Sequence, residues 1–335
     1  MTLKADTGQR PAAASGVQEW RIPSSADPSA ELFVRARGTP CAPGDTPVLL
    51  VHGFFQPASA ILDVPDFSLQ AALAARGLRV YLVDLRGYGQ SSRPPFMHQA
   101  AELTRPSLGQ MDDALADLQD AVSFVLQQEA ASKVDLVGYS WGTARSARFA
   151  LAFPAQVRRL ALYAPVWRPS TGAAGEAQDP DQPDRLRPAL GGYTVFRPGD
   201  LQRNWDWEIG AEDPAMFRTQ AALHAADAAL LASDPDRGEP GFRAPLGPMV
   251  DALGVARGGS LFDATRLRHE VLLVRGDRDR LSSEADARAL FEAIGSTSKR
   301  LITIGWGTHL MHIEHPANAM LEELVSFLRR RDTPQ

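Results

Sequence analysis

Cysteine is all but missing from this chain of 335 residues: Cys41 stands alone, so no intrachain disulfide framework can form. That fits a reducing compartment. Lysine is scarce too, with Lys4, Lys133 and Lys299 against 32 arginines. The net charge is −5, which leaves no basic stripe to neutralise phosphates, so nucleic acid is not an expected partner. No stretch reaches the roughly 18 apolar residues of a membrane span. Met1 to Gly16 lacks the apolar core of a secretory signal and reads as a frayed polar tail. A cytoplasmic protein with no membrane partner is expected, and the composition is silent on oligomeric state. With 44% hydrophobic and 22% charged residues, the chain has enough apolar surface for a packed core, which excludes disorder as its main character. There is no internal repeat and no heptad array.

Short apolar runs that end on turn residues recur along the chain. Val48–Val51 ends at His52-Gly53, Val80–Val83 at Asp84, Val134–Val137 at Gly138, Leu160–Tyr163 at Ala164-Pro165, Val271–Val274 at Arg275-Gly276, and Lys299–Ile304 at Gly305. Runs this short and apolar on both faces fit parallel strands buried between layers of helices. The segments between them read as helices: Ser68–Arg76, Met111–Gln128, Thr143–Phe153, Ser282–Ile294 and Pro316–Arg331. In the second, Leu115, Leu118, Val122 and Val125 share a face and Asp112-Asp113 suit the positive end of the dipole. The alternation predicts an α/β fold with a mostly parallel sheet flanked by helices.

The stretch 167–264 breaks this rhythm. It is first dense in proline and glycine, then alanine-rich and helical around Met216–Leu231. It reads as a partly helical cap inserted between core strands. The expected organisation is therefore a flexible tail over 1–20, a core over 21–166 and 265–335, and a cap over 167–264.

Gly138-Tyr139-Ser140-Trp141-Gly142 follows a predicted strand and opens a predicted helix. This is the G-x-S-x-G nucleophile elbow in its required setting. The glycines permit a turn too tight for side chains. The turn lifts Ser140 to a helix N-terminus, where N–H groups and the dipole favour negative charge. A serine hydroxyl needs a base, and the base needs an orienting acid. Aspartates Asp277 and Asp279 follow the run ending at Val274, and His309 and His312 follow the run ending at Ile304. Both groups lie just past strand C-terminal ends, the edge at which open α/β sheets bind ligands.

Taken together, the motifs resemble the α/β-hydrolase family, in a serine-nucleophile, esterase- and lipase-like branch with a cap. The resemblance rests on His52-Gly53-Phe54, Asp84-Leu85-Arg86-Gly87-Tyr88-Gly89-Gln90-Ser91, the elbow, Gly276-Asp277-Arg278-Asp279, Gly307-Thr308-His309 and Glu314-His315-Pro316. It covers about residues 45–165 and 266–330. It implies a triad of Ser140, Asp279 and His309, with Asp277 and His312 left to structural roles. It also implies an oxyanion hole from the backbone N–H groups of Phe54 and Trp141, with His52 bracing the first. Asp84 is then a loop-building residue. Relatives that open epoxides or carbon–halogen bonds carry aspartate at the elbow, so Ser140 disfavours those reactions.

Phe55, Trp167, Trp306, Tyr193, Trp205 and Trp207 gather with Phe54 and Trp141 near the expected mouth. They suggest an apolar pocket, although Trp205 and Trp207 equally suit joining the cap to the core. No cluster has metal-ligand spacing and no loop is built for phosphates, so no metal or cofactor is expected. The expected activity is hydrolysis of an apolar or aromatic carboxylic ester, or a lactone, a small-molecule substrate, through an acyl-enzyme. C–C bond hydrolysis, amide hydrolysis and acyl transfer are the alternatives on the same scaffold. A ligand-binding protein without catalysis is the alternative from another class.

Overall fold

The computed structural model describes residues 16–105, 107–168, 178–182, 185–187, 190–255 and 259–330. The strands of the main sheet are β1 (Gln18–Pro23), β2 (Glu31–Arg37), β3 (Val48–Val51), β4 (Val80–Asp84), β5 (Val134–Tyr139), β6 (Val157–Tyr163), β9 (Glu270–Gly276) and β10 (Lys299–Ile304). The intervening β7 (Tyr193–Phe196) and β8 (Phe242–Pro245) form a separate antiparallel hairpin. The order in the sheet is β1-β2-β4-β3-β5-β6-β9-β10. β1 and β2 are antiparallel to their neighbours, and the others run parallel.

Alternation explains how runs that are apolar throughout can form this sheet. In a strand, successive side chains point to opposite faces. Leu49, Val51, Leu136, Leu160, Leu162, Val271 and Leu273 enter one core, with α3 (Met111–Glu129), α4 (Trp141–Ala152) and α8 (Glu284–Ala293) packed over it. Val48, Leu50, Val137, Tyr139, Ala161, Tyr163, Leu272 and Val274 enter the other, under α2 (Leu69–Ala75) and α9 (Ala317–Leu328). A short helix α1 (Ala58–Ile61) follows β3. The result is a sheet covered on both sides, as parallel sheets require.

Every strand expected from the sequence is present within three residues of its expected ends. The expected tail over 1–20 needs correction at its end: β1 begins at Gln18, and Trp20 pairs with Val34. The remainder of the tail to residue 15 lies outside the described residues. β1 and β2 carry charges among their apolar residues because an antiparallel edge leaves one face or rim in water, so an all-apolar run does not mark them. The last helix ends at Leu328, and the expected end at Arg331 lies outside the described residues.

Between β6 and β9, besides the β7–β8 hairpin, the chain forms α5 (Asp200–Ile209), α6 (Gln220–Leu231) and α7 (Gly247–Val255). The proline- and glycine-rich 169–177, together with 183, 184, 188 and 189, lies outside the described residues. The helix expected over Met216–Leu231 starts only at Gln220, because Thr219 caps it, accepting from the Ala222 N–H (3.0 Å), and Pro214–Met216 forms a separate turn. Helix α5 is an addition to the expected elements. Its charged sequence hides a narrow apolar stripe of Leu201, Trp205 and Ile209, which shares the second core with α6. No helix among the described residues is long and apolar enough to cross a membrane.

Candidate active site

Because β3, β5, β9 and β10 run parallel, the loops after them emerge at one edge of the sheet. Ser140 sits there, between β5 and α4, with φ 55° and ψ −125°. Such a backbone is strained for a residue with a side chain and persists only where its surroundings hold it. They do. The Ser140 N–H donates to the Tyr163 carbonyl (3.0 Å), and the Thr143 hydroxyl donates to the Ser140 carbonyl (2.6 Å) while accepting from the Val166 N–H (3.0 Å). The glycine at 142 is obligatory, since a Cβ there would lie 2.2 Å from the Val51 carbonyl oxygen. Gly53 brings the neighbouring loop against the serine: a Cβ at 53 would lie 2.9 Å from Ser140 Cβ and 3.3 Å from its Oγ.

Asp279 and His309 meet. Both Asp279 carboxylate oxygens lie 3.0 Å from His309 Nδ1. Asp279 Oδ1 also accepts from the N–H groups of Leu281 (3.0 Å) and Ser282 (2.7 Å), and Arg275 holds the Asp279 carbonyl (3.2 Å). A carboxylate gripped by so many donors is fixed in place and can only accept from the imidazole. It therefore sets the His309 tautomer, with the proton on Nδ1 and Nε2 free to accept. Burial alone would lower the His309 pKa. The charge and hydrogen bond of Asp279 outweigh it, with Glu208 and Glu314 adding, and the pKa lies above the ordinary 6.5. Ser140 Oγ makes no hydrogen bond to His309 among the described residues. Such bonds are often long in unliganded sites and tighten around substrate.

The other polar residues of these loops are braces. His312 is buried between the Tyr163 hydroxyl (3.0 Å from Nδ1) and the Ile61 carbonyl (2.9 Å from Nε2), and burial pushes its pKa down to about 4. The Tyr163 hydroxyl donates to the His309 carbonyl (2.9 Å). Asp277 accepts from the Gly307 N–H (3.3 Å), tying the loop after β9 to the loop after β10. Asp84 accepts from Ser59 N–H (2.9 Å), Ser59 Oγ (2.5 Å) and Gln90 N–H (2.9 Å), closing the loops after β3 and β4.

On the other side of Ser140, the peptide N–H groups of Phe54 and Trp141 donate to no protein acceptor among the described residues. His52 lies behind them. Leu85 N–H donates to its Nε2 (3.2 Å), so Nδ1 carries the proton and donates to the Gly53 carbonyl (2.9 Å). Burial, reinforced by Arg145, holds the His52 pKa well below its usual value, so the ring is neutral.

The aromatic residues separate into groups. Phe54 and Phe55 stack (3.9 Å between centroids). Phe55 meets Phe196 of β7 (4.8 Å), which stacks on Phe242 of β8 (4.9 Å). Phe54 also reaches Trp141 (5.6 Å). Trp167 is buried, its indole donating to the Phe262 carbonyl (2.9 Å), and Tyr193 is buried with its hydroxyl on the Gln99 carbonyl. Trp205 needs correction as a pocket residue. It is 0% exposed, and its indole N–H donates to Glu314 (2.6 Å), whose carboxylate also accepts from the Thr308 N–H (2.8 Å) and hydroxyl (2.6 Å). Its role is to lock α5 onto the loop that carries His309. Trp207 and Trp306 face solvent, at 54% and 45% exposure, under the guanidinium groups of Arg280 and Arg278. Helical spacing explains why Trp205 and Trp207 differ, since residues two apart on a helix point to different sides.

Two charged residues at the site escape sequence reasoning. Glu208 on α5 is buried. Its Oε2 accepts from the Arg280 N–H (3.0 Å), next to Asp279, and Oε1 has no partner among the described residues. Burial pushes its pKa up to about 7, with His309 opposing and Asp279 adding to the rise. Nothing in the sequence links position 208 to Asp279 or His309. Arg145 on α4 is 1% exposed. Its one signal is its place four residues after Trp141, on the same helix face. Among the described residues no three histidine, cysteine or acidic side chains converge as a metal site.

Comparison with known proteins agrees with this architecture. Residues 46–195 match the family model described as alpha/beta hydrolase fold. A 2-hydroxy-6-oxo-2,4-heptadienoate hydrolase of Pseudomonas putida is 29% identical over 244 residues, 70% of this chain and 72% of that one. Among solved structures, E-2-(acetamidomethylene)succinate hydrolase superposes with a TM-score of 0.62 at 19% identity, covering 94% of this chain and 100% of that one. A 2-hydroxy-6-oxo-6-phenylhexa-2,4-dienoate hydrolase from a Rhodococcus species superposes with a TM-score of 0.59 at 18% identity, covering 94% and 99%. With its mostly parallel sheet, elbow and loop order, the chain has the α/β-hydrolase fold, and residues 46–195 carry the match to the model of that fold.

Proposed function

We propose that this protein is a serine hydrolase that cleaves its substrate through an acyl-enzyme on Ser140. The observation that carries the reading is the Asp279–His309 pair at the sheet edge where Ser140 stands on a strained turn, beside the Phe54 and Trp141 peptide N–H groups, which have no protein acceptor among the described residues. His309 Nε2 takes the Ser140 proton as Oγ attacks a carbonyl carbon, while Asp279 stabilises the imidazolium. The oxyanion is received by the N–H groups of Phe54 and Trp141. His309 then gives its proton to the leaving group, and afterwards activates the water that releases the acyl group.

The substrate class we favour is a carboxylic ester with an apolar or aromatic acyl part. The aromatic run Phe54-Phe55-Phe196-Phe242, from the oxyanion loop to the hairpin of the insertion, supports it. In this reading the insertion is a cap over the site. A second reading, C–C bond hydrolysis of a ketone, is favoured by the similarity to the Pseudomonas putida enzyme. There the leaving group would be a stabilised carbanion, which takes the His309 proton at carbon.

A fluorophosphonate should label the wild type and leave Ser140→Ala unlabelled. Steady-state assays with 4-nitrophenyl butyrate and a 2-hydroxy-6-oxo-dienoate separate the two substrate classes. In Ser140→Ala, turnover of the better substrate should fall by about 10⁴-fold or more. Retained turnover in that variant would refute the acyl-enzyme.

A further inference from the structure

Arg145 is a buried cation that forms no ion pair among the described residues, although its charge reaches Asp251. Its guanidinium donates to the carbonyls of Gly53 (2.8 Å), His52 (3.2 Å) and Gly109 (3.4 Å), and reaches the Tyr88 hydroxyl (3.5 Å). Its Nε is buried with no partner, and it forms no ion pair among the described residues. The carboxylates of its neighbourhood are engaged elsewhere. Asp251 on α7 accepts from the Met111 N–H (2.9 Å), and Asp113 on α3 accepts from the Gln110 N–H (3.2 Å). Burial of a charge without a partner is costly, and proteins ordinarily pair it or replace it. α4 keeps it one turn past the nucleophile.

The place of this charge suggests its use. Gly53 and Phe54 share one peptide unit, and no peptide bond among the described residues is cis. In a trans peptide the C=O and N–H point in opposite directions across one plane. Whatever grips the Gly53 carbonyl therefore aims the Phe54 N–H. Two donors grip it: the neutral His52 Nδ1–H at 2.9 Å and the Arg145 guanidinium at 2.8 Å. A charged donor on the carbonyl also polarises the peptide and strengthens its N–H as a donor, the cooperative effect expected along hydrogen-bond chains in a low dielectric. The Phe54 N–H itself has no protein acceptor among the described residues, and Gly53 lies against Ser140.

We infer that Arg145 is a positioning and polarising residue of the oxyanion hole, holding the Gly53–Phe54 peptide from behind so that its N–H faces the developing oxyanion, with the guanidinium as that oxyanion's buried counter-charge. This rests on the reading of Ser140 as the nucleophile. The fully desolvated cation acquires an anion only when the tetrahedral intermediate forms, so its electrostatic gain falls on the transition state and not on the ground state.

The test compares Arg145→Gln and Arg145→Lys with the wild type in 4-nitrophenyl butyrate hydrolysis, inhibition by a trifluoromethyl ketone that forms a tetrahedral oxyanion on serine, and thermal melting. In Arg145→Gln, kcat should fall about 10- to 100-fold, with the ketone inhibition constant rising by a similar factor and KM moving less than about threefold. Arg145→Lys keeps the charge and loses the fork of donors, so its loss should be intermediate; it carries the test if the glutamine variant does not fold. A folded Arg145→Gln with unchanged kcat and ketone affinity would overturn the inference. So would equal losses in both variants that follow a lowered melting temperature without a selective loss of ketone affinity, since that is a packing role. Failure of the underlying reading is distinct: the wild type would then resist the ketone and Ser140→Ala would stay active.

Discussion

The two sides of Ser140 handle buried charge in opposite ways. On the acid–base side, Asp279 is matched: His309 and two peptide N–H groups satisfy it before any substrate arrives. On the oxyanion side, Arg145 has carbonyl and phenol oxygens as partners and no carboxylate hydrogen-bonded to it among the described residues. A matched pair fixes geometry, here the imidazole tautomer. An unmatched charge stores an electrostatic interaction that is completed when an anion is created beside it. Replacing a buried ion pair by apolar groups is often harmless to stability, whereas stranding one charge is not, so the asymmetry points to chemistry and not to folding as the reason Arg145 is kept.

The largest expected effect breaks the matched side. Asp279→Asn leaves the shape intact but lets the amide donate toward His309 Nδ1, which favours the wrong tautomer. Turnover should fall by about 10⁴-fold with little change in KM, measured by steady-state kinetics on whichever substrate class proves better. A loss of less than about tenfold would mean that the pair serves packing.

A smaller effect tests how firmly the insertion is tied to this side. Trp205→Phe removes the indole donor from Glu314 while keeping an aromatic ring in the second core. The buried Glu314 oxygen keeps the Thr308 hydroxyl, so the expected cost is about 1–3 kcal/mol of stability, read as a lowered denaturation midpoint. An unchanged midpoint would show that the α5 contact adds nothing to the fold.

The smallest effect is a pH shift. Glu208 raises the His309 pKa, together with Asp279 and Glu314, against burial. In the proposed mechanism activity depends on unprotonated His309, so the acid limb of kcat/KM should lie above the ordinary histidine value of about 6.5. Glu208→Gln removes one of the raising charges, so the limb should move to lower pH. A limb that stays in place would separate Glu208 from the base.

The legible parts of this molecule were those that local chemistry enforces. All-apolar runs such as Val48–Val51 and Val271–Val274 can only be strands covered on both faces, and they are. Gly138-Tyr139-Ser140-Trp141-Gly142 can close its turn only with small residues at its ends, and a Cβ at either glycine would strike backbone atoms. The edge strand β1 and its antiparallel neighbour β2 were missed because charged residues interrupt their apolar ones. In the insertion, the exposed and buried tryptophans of α5 lie two residues apart, and composition cannot tell which will find a partner.

Residues and spacing alone were enough for the strand–helix alternation, the elbow and the loops that carry Asp279 and His309, because each depends on neighbours in the chain. The partner of a side chain from elsewhere is another matter. That Trp205 clasps Glu314, that Glu208 leans on the Asp279 loop, and that Arg145 sits behind the Gly53 carbonyl were settled only when distant segments packed. A buried charge takes its meaning from what surrounds it in space, and those surroundings come from stretches of chain that lie 90 or more residues away for Arg145 and its Gly53 partner, and 109 for Trp205 and Glu314.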